Sequence, residues 1–175
     1  MEETTVSIIG IFIAAVIMYI VPLSLVADRS DDIAQLLVQT ATAEFVDDVV
    51  KQGKITDDMY QDFCLEIATS GNAYDIDIEL KILDENTAQR GENNTYYSIF
   101  TSQIEELIGI SGNNTINNRE GKLILKQGDT ISVTVRNSSK TLSQSIKSFY
   151  YNINSADVQI IAATASGTVA INGTR

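Results

Sequence analysis

The sequence predicts an α+β protein, a long N-terminal transmembrane and stem helix packed on a small antiparallel sheet domain with inserted helices. Three observations predict it. Residues 6–26 form a run of 21 residues without a charge, longer than the roughly 18 apolar residues that mark a bilayer-spanning candidate. From Asp28 a helical pattern continues in polar form to about Lys51. Further on, Tyr74, Ile76, Ile78, Leu80 and Ile82 alternate with Asp75, Asp77, Glu79 and Lys81, the period of a strand with one face buried and one wet. The 175 residues suit one anchor plus one domain of ordinary size, divided as a hydrophobic helix and stem over 1–53 and an α+β head over 54–175.

The apolar run contains 13 Val, Ile, Leu or Phe residues. Each contributes about −0.3 to −0.6 kcal/mol near a helix centre, so together about −4 to −8 kcal/mol for insertion into lipid. An equally apolar protein surrounding would serve as well. The run is too long for a signal-peptide core and is preceded by Glu2 and Glu3 rather than by a basic residue, so retention is expected. Met1 is expected either as the first residue after leader removal or as the initiator. Arg29 lies among Asp28, Asp31 and Asp32, so charge gives no vote on orientation. Pro22 removes a backbone donor and crowds the Met18 carbonyl, which predicts a kink or local melting over residues 18–22. Gly10, Ala14 and Ala15 permit close approach of another helix. Helix is expected to resume after Ser30, with Asp31 and Asp32 in its first turn.

Between residues 33 and 50 the apolar positions fall on two faces. Ile33, Leu36, Leu37 and Thr40 share one, and Val38, Phe45 and Val49 lie nearer the other. A helix apolar on two sides is buried on two sides. One side is expected on this chain's own sheet and the other on a different partner, with copies of the same chain the simplest candidate. Gly53 is placed as a C-cap. Thr56 opens a second helix with Asp57 and Asp58 in its first turn and Tyr60, Phe63, Cys64 and Ile67 inward. Ser70, Gly71 and Asn72 stop it. After the alternating strand, 84–95 reads as a polar loop. Residues 98–108 read as a helix with Ile104, Leu107 and Ile108 inward, and 109–121 as an Asn- and Gly-rich loop. Residues 122–126 and 130–136 flank Gln127-Gly128-Asp129 and read as a hairpin. Leu142, Ile146, Phe149, Tyr150 and Ile153 mark a further amphipathic helix. Residues 158–171 read as a final strand with Ile161, Ala163, Ala165, Val169 and Ile171 on one face, small enough for a helix to lie close.

Composition narrows the function. All 12 Lys and Arg lie beyond residue 27, against 21 of the 23 Asp and Glu. Clustered positive charge of the kind that binds phosphate backbones is missing, so no nucleic-acid partner is expected. The chain has no His, no Trp and a single Cys. No general-base His, nucleophile elbow or phosphate-cradling loop is present, so the reading is of a non-enzymatic protein without cofactor or metal. Cys64 is read as a small buried hydrophobe, with an intermolecular disulfide as the alternative. Asp75, Asp77 and Glu79 are read as a solvated strand face rather than a calcium site, since no Asp-rich loop accompanies them. Asp28, Asp31 and Asp32 are read as helix-start charge rather than a cation site. Asn93, Asn113, Asn137 and Asn172 begin Asn-x-Ser/Thr sequences of the kind an Asn-rich chain produces by chance. The Tyr96-Tyr97 and Tyr150-Tyr151 pairs are placed in the core.

Over residues 1–51 the chain has a short polar start, an uninterrupted apolar span with Pro22 late within it, and an amphipathic stem. In these features it resembles the type IV pilin superfamily, and within it the tight-adherence (Tad-like) pilins and pseudopilins of Gram-positive bacteria. The remainder is similar only in kind, as a small αβ head. The resemblance implies a structural subunit of a cell-surface filament, held in the membrane by one N-terminal helix before assembly. It also implies extraction by a pilus assembly machinery and helical polymerisation with copies of itself. The candidate filament-core residues are then Ile8, Ile9, Phe12, Ile13, Val16, Ile17, Ile20 and Leu23. Loops 84–95 and 109–121 are expected to face outward and carry adhesion. Type IV pilins usually have a glutamate near the start of the span that pairs with a neighbour's amine. Here Thr5 and Ser7 stand at that depth, so Glu2 or Glu3 would have to supply the pairing. The competing expectation is a non-polymerising, single-span accessory protein of a secretion or conjugation apparatus.

Overall fold

The computed structural model describes residues 2–83, 96–109, 121–151 and 161–173. It is α+β: a long N-terminal apolar helix and a small antiparallel sheet. In chain order the elements are α1 (Glu2–Gln52), β1 (Lys54–Thr56), α2 (Asp57–Ala68), β2 (Tyr74–Leu83), β3 (Tyr96–Phe100), α3 (Thr101–Ile108), β4 (Lys122–Ile124), β5 (Thr130–Asn137), α4 (Leu142–Tyr151) and β6 (Ala162–Thr168). They fall into two compact units, one of Met1–Ala34 with Lys140–Gln159, the other of Gln35–Ser139 with Ile160–Arg175.

The second unit holds the sheet, whose strands lie in the order β3-β2-β5-β6 and are all antiparallel. The alternation seen in β2 does what its period requires. Ile78 and Leu80 are buried while Asp75, Asp77 and Lys81 are exposed. Ile131, Val133 and Val135 of β5 repeat the pattern and complete the inner face. Against that face the second half of α1 buries Val38, Ala41, Thr42, Phe45, Val46 and Val49. A Cβ on Gly167 of β6 would come within 2.7 Å of Val50 Cγ2, so the small residues of this strand do let the helix lie close. Gly53 ends α1 at φ +63°, its N–H bonded to the Val49 carbonyl at 2.8 Å, as a C-cap requires.

Thr56 caps α2, its hydroxyl accepting from the Met59 N–H at 3.2 Å. Tyr60, Phe63 and Ile67 are buried beneath it, and Phe63 stacks on Phe45 with centroids 4.6 Å apart. Ile104 and Ile108 anchor α3.

Several expectations need correction. Residues 98–100 are strand, not helix. β3 pairs with β2 from Glu79↔Phe100 to Leu83↔Tyr96, since an aromatic and β-branched run beside a free sheet edge favours the ladder over an isolated first turn. Tyr96 and Tyr97 lie in that edge strand and are exposed rather than packed in the core. The side chains of Tyr150 and Tyr151 lie outside what is described. Residues 122–126 do not form a hairpin with β5. β4 pairs instead with β1, in the register Lys54↔Ile124 to Thr56↔Lys122, because β5 already has β2 and β6 on its two edges. The last strand is shorter than expected. It ends at the Thr130↔Thr168 pair, after which the Gly173 N–H bonds the Leu125 carbonyl and leaves Ile171 half-exposed. Residues 158–160, Ile153, the loop 84–95 and residues 110–120 lie outside the described residues, as do Asn93 and Asn113.

In the first unit α1 is helical throughout, Pro22 included. The melting expected over residues 18–22 and the restart after Ser30 do not occur. Proline removes the one backbone bond that would reach the Met18 carbonyl, a loss that a long apolar helix tolerates; the Ser24 hydroxyl donates to a different acceptor, the Ile20 carbonyl, at 3.0 Å. α4 belongs to this unit. Thr141 caps it: its hydroxyl accepts from the Gln144 N–H at 3.2 Å while Gln144 Oε1 accepts from the Thr141 N–H at 3.1 Å. That reciprocal pair is a capping box.

Candidate assembly surface and the clasp beside it

The candidate surface is α1 itself, one helix long and apolar enough to cross a membrane. Among the filament-core candidates Ile8, Ile9, Phe12, Ile13, Val16, Ile17 and Leu23 are exposed, whereas Ile20 is half-buried. Glu3 is exposed, and its carbonyl accepts from Ser7 Oγ at 3.0 Å. The side chain of Glu2 lies outside what is described. Pro22 sits on an exposed position of the run.

Apolar exposure does not end with the uncharged run. Ile33 and Leu36, which follow Asp28 in the chain, are 67% and 65% exposed. Val38, Phe45 and Val49 are buried on the sheet. Their burial and the exposure of Ile33 and Leu36 match the two-faced pattern of this stretch.

Where the run ends, polar groups gather. Asp31 accepts from the Thr141 hydroxyl at 2.6 Å. Asp28 accepts from Ser143 Oγ and forms an ion pair with Lys147 Nζ at 2.7 Å. The Lys147 ammonium holds the Asp28 carboxyl below the usual carboxylate range, and the Ser143 hydroxyl adds to this against a small opposing effect of burial. Thr141, Ser143 and Gln144 are buried, so their polar atoms are used internally rather than by water. The reading of Asp28 and Asp31 as helix-start charge is therefore corrected. The helix does not start there, and both carboxylates fasten α4. Asp32 is exposed. The Thr-x-x-Gln spacing at 141–144 is the local sequence signal for the start of α4.

Elsewhere the wet sheet face carries Asp75, Asp77 and Glu79. Glu79 accepts from Ser98 Oγ at 2.8 Å and lies 3.8 Å from Lys81 Nζ. Among the described residues no group of three or more potential ligands is arranged to hold a metal ion. Asn172 Oδ1 accepts from the Gln127 N–H at 2.9 Å, and Asn137 Nδ2 donates to the Ser139 carbonyl at 2.9 Å. Cys64 is half-buried, and desolvation pushes its thiol pKa up. Burial, followed by the 2.8 Å bond to Glu105, pushes the Tyr60 hydroxyl up in the same way.

The chain matches no family model, no curated protein and no solved structure.

Proposed function

We propose that this chain is a structural subunit of an extracellular pilus-like filament that polymerises through α1. The carrying observation is the apolar surface at Ile33 and Leu36. Lipid accounts for an apolar surface over residues 6–26, but it has no claim on side chains beyond Asp28 and Asp31, which mark the water boundary. Neighbouring copies of α1 would cover both stretches. The uncharged run would pass from lipid to a bundle of like helices at little cost, since both surroundings are apolar. Gly10, Ala14 and Ala15 would allow close contact there. Before assembly the helix would hold the monomer in the membrane, and an assembly machinery would extract it. The role is structural rather than enzymatic.

The test is Ile33→Asp with Leu36→Asp in the full chain, followed by shearing of cells. Fibres should vanish from the sheared fraction while the protein stays at wild-type level in the membrane fraction. Fibres at unchanged abundance would defeat the reading. Wild-type cells that release no fibres at all would favour a non-polymerising, membrane-held accessory protein.

A further inference from the structure

We infer that the wet face of the sheet carries a saccharide site, a cleft in which one ring of a neutral sugar rests on Phe100 and exchanges hydrogen bonds with Asp77 and Arg136. The site lies wholly within the sheet unit and is independent of whether the chain polymerises.

The sheet register builds the cleft. Residues paired across an antiparallel ladder project to the same face. Phe100 of β3 pairs with Glu79 of β2, and Glu79 with Ser132 of β5. One row on, Asp77 pairs with Thr134, and beyond that Asp75 pairs with Arg136. Ile78 and Leu80 are buried beneath α1, so Glu79, Asp77 and their partners point the other way, into water. From Ser132 to Arg136 this strip is about 13 Å long. Along one side the chain turns out of β3 into α3. Thr101 Oγ1 accepts from the Ile78 N–H at 2.7 Å, and Gln103 Oε1 accepts from the Phe100 N–H at 3.1 Å. These bonds hold Phe100 and Ser102 as a wall beside the strip. The enclosed space is about 570 Å³, within the roughly 300–1,000 Å³ of small-ligand sites. It is open to solvent, as a site for one unit of a longer chain must be.

The lining selects the ligand. The side chains of Asp77, Arg136, Ser102 and Ser132 have no hydrogen-bond or ion-pair partner among the described residues, so a ligand displaces only water to reach them. Phe100 is 57% exposed, an apolar ring at the rim of a polar cleft. Glu79 is balanced by Lys81 at 3.8 Å. Asp77 and Arg136 then offset each other, so the lining draws neither an anion nor a cation by net charge. A purely apolar ligand would strip water from the charged groups without replacing its hydrogen bonds. A neutral sugar ring meets every demand. Its hydroxyls donate to the Asp77 carboxylate and accept from the Arg136 guanidinium, both charge-assisted bonds, while its C–H face covers the Phe100 ring.

The test uses the full chain in a detergent without a sugar headgroup. Saturation-transfer NMR is recorded with methyl glucoside, methyl galactoside, lactose and cellobiose as neutral probes, and with glucosamine and glucuronate as charged ones. Saturation should reach the ring C–H protons of at least one neutral probe. Phe100→Ala and Asp77→Ala should each weaken that binding about tenfold. Arg136→Gln, at an exposed side chain with no internal bond to lose, should do the same and guards against a loss of fold at Phe100. Asp62→Ala, the same truncation on the exposed side of α2, should leave binding unchanged. No transfer to any neutral probe would overturn the site, as would transfer that all three cleft variants leave unchanged. Transfer to glucosamine or glucuronate alone would overturn the assignment to a neutral sugar.

Discussion

Lys147 Nζ of α4 stands 2.7 Å from Asp28 Oδ1 of α1, just past the last residue of the uncharged run. The pair is roughly half exposed, so its ionic part is weakened by water. Its value is positional. Together with Ser143 and Thr141 it fixes which turn of α1 faces α4. The depressed Asp28 pKa gives the clasp a pH dependence of definite sign. A carboxyl with a lowered folded value contributes stability that is present above its ordinary value of 3.8 and is lost as pH falls through the lowered one. Hydrogen exchange of the amides of 143–148, corrected for intrinsic rates, should show steady protection from pH 7 to about pH 4 and a decline below that. Asp28→Asn should be less protected already at neutral pH and lack the acid step. Wild-type protection in that variant at pH 7 would show that the clasp does not hold α4.

A second carboxylate has a larger role in the sheet unit. Asp129 is 2% exposed; Oδ1 accepts from the Leu83 N–H at 3.0 Å and Oδ2 from the Lys126 N–H at 2.8 Å. It ties the start of β5 to the end of β2. Asp129→Ala leaves two backbone donors without an acceptor, which should cost about 2–4 kcal/mol. Asp129→Asn keeps one acceptor and should cost about half of that. Thermal melts of the full chain in mild detergent, followed by near-ultraviolet dichroism, would rank the three proteins. Equal midpoints for Asp129→Ala and wild type would contradict the assignment.

These two carboxylates also show what could be read from the chain alone. The alternation through Ile78 and Leu80 is local, and a period of two has one physical meaning, so β2 was legible. The two faces of residues 33–50 were legible for the same reason, because helical spacing sorts Val38 and Phe45 from Leu36 without any tertiary knowledge. The partner of β4 was not. Gln127-Gly128-Asp129 has the composition of a hairpin turn, but pairing is settled by which sheet edges are free, and β5 has none. The strand that β4 does join, β1, is only 3 residues long, too short to announce itself by period. The clasp was hidden for another reason. Asp28 and Ser143 are separated by 115 residues, and no local pattern records a bond between side chains so far apart. The capping box at Thr141 and Gln144 says where α4 starts, and nothing about what it docks on.

Cys64 should be a slow thiol. Desolvation raises its pKa above the ordinary value, so the nucleophilic thiolate is scarce near neutrality. Reaction with an aromatic disulfide reagent at pH 8 should be slower by about tenfold in the native protein than in denaturant. Equal rates would place the thiol in open solvent and return an intermolecular disulfide to consideration.

The closeness of α1 to β6 gives the sharpest test of packing. Gly167 pairs with Ile131 in the ladder, and its missing side chain is where Val50 and Val46 sit. A Cβ there would lie 2.7 Å from Val50 Cγ2 and 3.3 Å from Val46 Cγ1. Val50 cannot swing away freely, because a β-branched residue in a helix is held near one rotamer. Gly167→Ala should therefore cost about 1–3 kcal/mol by overpacking. Restriction of the unfolded chain works the other way by about 0.4–1 kcal/mol, so the net loss in stability should be modest but measurable. The two effects separate when Val50→Ala removes the opposing methyl. In that background the added Cβ meets the remaining Cβ of residue 50 at an ordinary 3.9 Å and Val46 Cγ1 at 3.3 Å, a distance a small shift can absorb, while the unfolded-state benefit remains. Gly167→Ala should then become neutral or slightly stabilising, a coupling of about 1–2 kcal/mol between the two sites. The same loss in both backgrounds would mean that the helix does not lie as close to the strand as Gly167 allows.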